Sequence, residues 1–155
     1  MSGALLRIEV MHGVNLDQLG RREAEHYGTV TLSELERMIS GFAAELGLSC
    51  RYFQTNSEGE YVEHLHDARD MADGIILNPG AWTHYSWAIH DALEIASMPA
   101  VEVHLSAVDS REEWRRQSVI ADLVTRRIQG KGTDGYREAL EVLAQELGVG
   151  EPPAA

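Results

Sequence analysis

The chain has 155 residues, is 44% hydrophobic and 25% charged, and carries a formal net charge of -12. That length suits one domain with one full core, since a chain of this size hides about 68–70% of its extended surface. The acidic balance argues against a nucleic-acid partner, which needs a basic face. No apolar run approaches the roughly 20 residues of a membrane span.

The N-terminal stretch has none of the marks of a signal peptide. Cys50 is the only cysteine, so neither an intrachain disulfide nor a cysteine metal cluster is expected, and the default location is cytoplasmic. Leu5–Met11 reads as a buried first strand. Gly13–Gly28 follows, a largely polar stretch of sixteen residues where a strand-to-helix turn takes about 2–6. Loops of that length are binding loops or lids when they are ordered. Thr31–Leu46 places apolar residues at 32, 35, 38, 39, 42, 43 and 46, which is helical spacing, with Thr31 and Glu34 forming a capping box. Leu48–Gln54 is strand two and Glu58–Met71 a second helix. Gly74–Leu77 is a short buried strand, Tyr85–Ser97 a helix and Ala100–Leu105 strand four. Ser110–Gln117 reads as a helical turn, Leu123–Ile128 as strand five and Tyr136–Leu147 as the closing helix. Residues 1–150 form the expected single domain and 151–155 a disordered tail.

Alternating strands and helices, with near-continuous apolar strands, predict an α/β, flavodoxin-like, three-layer sandwich around a five-stranded parallel sheet. Ligands of such sheets bind beyond the carboxyl ends of the strands. That rule directs attention to 13–28, 78–84 and 102–115. GxGxxG and GxxxxGK[ST] are both absent, which removes the usual nucleotide fingerprints. His64 and His66 face different sides of a helix and make a poor metal pair.

What remains is acid–base chemistry on an anionic, polyhydroxylated molecule. Of the 13 basic residues only Lys131 is a lysine, so a Schiff base has a single candidate, between Gly130 and Gly132. Arginines suit bidentate recognition of carboxylates. Tyr27 lies near Arg22, with Arg111 and Arg115 available from another loop; cationic neighbours favour phenolate and would make a base. The same residues also fit a packed tyrosine and an Arg22 paired with Glu23 or Glu25. Asn78-Pro79-Gly80 offers an amide on a turn that lets backbone approach a ligand, or a plain tight turn. Glu102 and His104 alternate on strand four and share a face. A carboxylate-backed histidine suits a general acid, and equally a satisfied ion pair. His84 and Asp91, seven residues apart, fit one helix face.

The segments Gly13-x-Asn15-Leu16-x-x-Leu19-Gly20-x-Arg22-Glu23-x-x-x-Tyr27-Gly28, FQTNSEGE (53–60), NPGAWTH (78–84), EVHLS with REEWR (102–115), and GxxGY (132–136) occur in that order. In this they resemble the type II 3-dehydroquinate dehydratases, from Ile8 to Leu147. The resemblance implies cofactor-free dehydration of 3-dehydroquinate to 3-dehydroshikimate, in aromatic biosynthesis or quinate breakdown. It also implies a homododecamer built as a tetramer of trimers, with no metal. By the same resemblance Tyr27 is the base, Arg22 its activating lid arginine and Arg111 a second, supporting one. Asn15 stabilises an enolate through a water. His104 is the acid, oriented by Glu102, with Asn78 near the departing hydroxyl. Leu105 and Ser106 bind the substrate carboxylate, and His84 and Arg115 the ring hydroxyls. Asp91 reaches into a neighbouring subunit's site.

The sequence departs from the family pattern at Val14 and Ala24, each replacing a proline, and at Ala107, replacing an asparagine. His90 replaces an arginine, and Trp82, Tyr85 and Trp87 are bulkier than usual. A more mobile lid is therefore expected. The departures also leave two other functions open: dehydration of a related cyclic hydroxyketone, such as an amino analogue, or a catalytically silent scaffold.

Overall fold

The computed structural model describes residues 5–149; the expected tail lies outside the described residues. Five parallel strands, β1 (Leu6–His12), β2 (Leu48–Gln54), β3 (Gly74–Asn78), β4 (Ala100–His104) and β5 (Arg126–Gln129), form one sheet in the order β2-β1-β3-β4-β5. This is the doubly wound, flavodoxin-like order, with its switch point between β1 and β3. Helices α2 (Leu32–Glu45) and α5 (Asp134–Glu146) cover one face, and α3 (Glu58–Met71) and α4 (Trp87–Ala96) the other.

The two-residue period of a strand explains the two cores. Ile8, Val10, Ile76, Val101 and Val103 join Leu35, Ile39, Tyr136 and Leu140 under α2 and α5. Met11, Ile75 and Leu77 join Tyr61, Leu65, Ile89 and Leu93 under α3 and α4. Trp82 is drawn into this second core, edge-on to Tyr61 at 5.5 Å between ring centroids, whereas Tyr85 and Trp87 stand exposed. The capping box at Thr31 is present: the Glu34 N–H donates to Thr31 Oγ1 at 3.2 Å, and the Glu34 carboxylate accepts from the Thr31 N–H at 3.3 Å.

The structure departs from the predicted elements at several places, beginning with the first strand, which is Leu6–His12 with Leu5 exposed, and the closing helix, which starts at Asp134. Strand five is Arg126–Gln129, not Leu123–Ile128. Leu123 and Val124 are apolar because they pack from a turn onto the second core, and the ladder begins only where the Thr125 N–H donates to Ala100 O at 2.8 Å. Ser110–Gln117 is not one helical turn but parts of two 3-10 turns, Val108–Ser110 and Glu113–Arg116. Helix α4 starts at Trp87 because Ser86 caps it, its Oγ accepting from the Ile89 N–H at 3.1 Å. His84 therefore lies outside that helix, in the 3-10 turn Gly80–His84, and does not share a helix face with Asp91. The long 13–28 loop holds a 3-10 turn at Leu16–Gln18 and a one-turn helix, α1 (Ala24–Tyr27). Buried Leu16 and Leu19 pin it to the first core.

At the switch point two backbones touch. A Cβ on Gly13 would sit 2.2 Å from Pro79 O, and one on Gly80 would sit 2.6 Å from Val14 O. Only glycine fits either place, and Gly80 also has a φ of 67°. The Gly13 N–H donates to Asn78 O at 2.7 Å, so the ends of β1 and β3 form one frame.

Candidate active site

Ten of the twelve predicted site residues line one cleft at the carboxyl ends of the strands: Asn15, Arg22, Tyr27, Asn78, His84, His104, Leu105, Ser106, Arg111 and Arg115. The cleft opens to solvent. Glu102 lies beneath His104 rather than on the wall, and Asp91 is on the outer face of α4, exposed and hydrogen-bonded to His90 Nδ1 at 3.0 Å.

The frame supplies two amides. Asn15 adopts a left-handed conformation (φ 68°, ψ 3°), which asparagine tolerates better than most residues. Its N–H is taken by Asn56 Oδ1 at 2.8 Å, and Gln54 Nε2 donates to Gly13 O at 3.2 Å. The polar end of β2 thus buttresses the Asn15 loop. Asn78 is buried at the end of β3, its Oδ1 accepting from the Gly80 N–H at 3.1 Å.

The charged wall joins two segments far apart in sequence. Arg111 Nη1 donates to the Tyr27 oxygen at 2.7 Å and lies 3.4 Å from Ser106 Oγ. Arg22 instead lies over the ring face, its Cζ 3.9 Å from the centroid. The sequence put Arg22 at the tyrosine and Arg111 in support; here Arg111 reaches the oxygen and Arg22 covers the ring. A guanidinium donor at a phenol oxygen stabilises negative charge there. Arg22 makes no ion pair with Glu23 or Glu25 among the described residues.

Also lining the cleft, His104 meets Glu102 Oε2 through Nε2 at 2.5 Å, leaving Nδ1 free. Glu102 is fully buried. Burial opposes its ionisation and is the largest single influence. It is outweighed by the hydrogen bond and charge of His104 and by the hydroxyls of Ser118 (2.6 Å) and Thr83 (2.5 Å), which hold the carboxyl at about 2. His84 Nδ1 is 2.7 Å from Gln117 O, and a carbonyl only accepts, so Nδ1 carries the proton and Nε2 is an acceptor. Burial pushes the His84 imidazole below its ordinary value, partly offset by that carbonyl, with His104, Arg115 and Arg127 adding repulsion. The His84 and His104 rings lie 6.4 Å apart and nearly parallel. Arg115 is braced by Glu112 at 2.5 Å and by the Trp114 ring. Among the described residues no three His, Cys, Asp or Glu side chains gather as metal ligands would.

Sequence reasoning missed Asn56, Gln54, Thr83, Ser118 and Arg127, none of which touches the cleft. The FQTN and WTH segments held the first three, but nothing in their spacing reveals which groups they hold in place.

Strand order and cleft together define a doubly wound α/β protein with a cleft lined by tyrosine, histidine and arginine side chains at the carboxyl ends of its strands. A family model of class II dehydroquinases matches residues 6–144. A 3-dehydroquinate dehydratase of Pelobacter propionicus is 45% identical over 146 residues, covering 94% of this chain and 98% of that protein. The type II dehydroquinase structure from Propionibacterium acnes superposes with a TM-score of 0.87 at 42% identity, covering 93% and 99% of the two chains. The corresponding structure from Butyrivibrio crossotus gives 0.86 at 38% identity, covering 91% and 99%. The chain belongs to the class II dehydroquinase family.

Proposed function

We propose that this protein dehydrates 3-dehydroquinate to 3-dehydroshikimate by anti elimination through an enolate, without a cofactor. The observation that carries the reading is that one cleft is lined both by Tyr27, whose oxygen accepts from Arg111 at 2.7 Å, and by His104, which meets buried Glu102 at 2.5 Å. A proton on the carbon beside a ketone is weakly acidic and hydroxide leaves poorly, so the reaction needs a base, an acid and enolate stabilisation.

Tyr27 oxygen takes the proton from the carbon beside the ketone: a C–H bond breaks and an O–H bond forms. Asn15, through a water, holds the charge that develops on the ketone oxygen. His104 Nδ1 then gives its proton to the C1 hydroxyl, the C–O bond breaks and water leaves. The Tyr27 proton goes to solvent and His104 is recharged from it, so the cycle is balanced. Asn78 lies near the departing hydroxyl. His84 Nε2, an acceptor, and Arg115 meet the ring hydroxyls. The Leu105 and Ser106 backbone and side chain take the carboxylate. Arg22 and Arg111 give an anion a cationic entry into a chain of net charge -12. The same reading includes a cytoplasmic homododecamer of four trimers in which Asp91 contacts a neighbour's site.

Purified protein mixed with 3-dehydroquinate should develop the absorbance of a conjugated enone without added metal or nucleotide. Tyr27→Phe should abolish that signal while leaving binding of the substrate intact. Binding without turnover in the unaltered protein would sink the enzymatic reading, and turnover of an amino analogue alone would move the substrate.

A further inference from the structure

We infer that Arg127 is a positioning residue for this reaction, keeping the Glu102–His104 pair charge-separated through the cycle. The inference rests on the proposed function, because it concerns the recharging of the acid. Arg127 stands opposite Glu102 in the β4–β5 register. Among the described residues Glu102 has two ion-pair partners, His104 at 2.5 Å and Arg127, whose Nε lies 3.5 Å from the same Oε2. Arg127 is held from its far side. Its Nη1 reaches Asp109 Oδ1 at 3.2 Å, and Gln129 grips Asp109 twice, donating to Oδ2 at 2.8 Å and accepting from its N–H at 2.9 Å. Arg127 Nε and Nη2 are buried without a protein hydrogen-bond acceptor. Burying a guanidinium in that state is unfavourable, so simple packing is a poor reason for the residue.

The two partners of Glu102 differ in one respect. His104 loses its charge each time it passes a proton to the leaving hydroxyl; the guanidinium never does. After that step Glu102 is a fully buried carboxylate beside a neutral imidazole, and Arg127 is its remaining cation. A buried carboxylate without a charged partner favours its protonated form. In that case the returning proton would settle on Glu102, giving a carboxylic acid beside a neutral histidine. Neutral imidazole is a far weaker acid, and the next turnover would stall at C–O cleavage. With Arg127 in place the proton returns to His104. Arg127 is absent from the cleft wall, so it acts through the pair and not on the substrate.

The experiment compares Arg127→Met, Arg127→Lys and His104→Asn with the unaltered enzyme, and records kcat, KM and solvent-deuterium uptake at the α-carbon of recovered 3-dehydroquinate. Arg127→Gln replaces Arg127→Met if the latter does not fold. Loss of acid function is worth about 100-fold or more, so the neutral variant should lose about tenfold or more in kcat, at unchanged KM. Its ratio of exchange to turnover should rise, because the enolate still forms and returns. Arg127→Lys should recover most of the rate. An unchanged kcat, or a fall in exchange and turnover together that lysine does not restore, would overturn the inference. If His104→Asn keeps full turnover, the acid assignment itself falls, and with it the basis for Arg127. If His104→Asn is inactive and Arg127→Met is normal, only the role of Arg127 falls.

Discussion

Glu102→Gln tests the electrostatics of the acid wall through stability alone. The Glu102 carboxyl sits at about 2 against an ordinary 4.5. Its folded value is depressed, so its contribution is complete above about pH 4.5 and is lost as pH falls through about 2. A shift of that size corresponds to about 3 kcal/mol, of which about 2 kcal/mol should be gone by about pH 3. Glutamine keeps the shape but cannot titrate, and its amide turns a donor toward His104 or Arg127. The assay is urea unfolding at fixed protein concentration, at neutral pH and at about pH 3. At neutral pH the variant should be less stable by about 2–4 kcal/mol, because three donors lose an anionic acceptor. From neutral pH to about pH 3 it should then lose about 2 kcal/mol less than the unaltered protein. Equal acid sensitivity in the two proteins would refute the view that a buried, ionised Glu102 anchors this wall.

Arg111→Met should lower kcat by about 100-fold by removing the donor at Tyr27, and Arg111→Lys should restore part of it; a normal rate in steady-state assays would make the 2.7 Å contact incidental. Ala24→Pro should raise stability by about 0.4–1 kcal/mol in a thermal melt, since Ala24 opens α1 and Glu23 (ψ 120°) already has the extended conformation proline requires before it. A lowered melting point would mean that the lid start is not helical. Gly13→Ala should lower stability by about 1–3 kcal/mol or more, because its methyl collides with Pro79 backbone; tolerance of alanine in the same melt would show that the two loops can part.

Much of the fold is legible because burial writes a period into the chain. GIIL has the length and uniform apolarity of a strand covered on both faces, and Leu32–Leu46 has the spacing of a helix with one apolar stripe. The apolar run at Leu123–Val124 predicts a strand but serves a packed turn, while strand five lies at the sheet edge, where Arg126 is exposed and Gln129 partly so. Residues of the cleft were found because they lie within motifs. Their contacts were not, because contact is set by register: Arg127 meets Glu102 across a ladder, and Asn56 meets the Asn15 N–H 41 residues away. Sequence proximity favoured Arg22 as the partner of Tyr27, whereas Arg111, 84 residues away, reaches the oxygen.

The contact between Gly13 and Pro79 divides the cleft into walls of unequal stiffness. Asn15 and Asn78 ride on backbones locked to each other, whereas Arg22, Tyr27 and Arg111 meet through side chains from two separate loops. An inhibitor anchored on the two asparagines would meet a surface already in place. One drawing its affinity from the arginines would lose about 0.5–1.5 kcal/mol for each side chain it must immobilise. For ligands of equal contact area, the stiff wall is where tight binding should be sought.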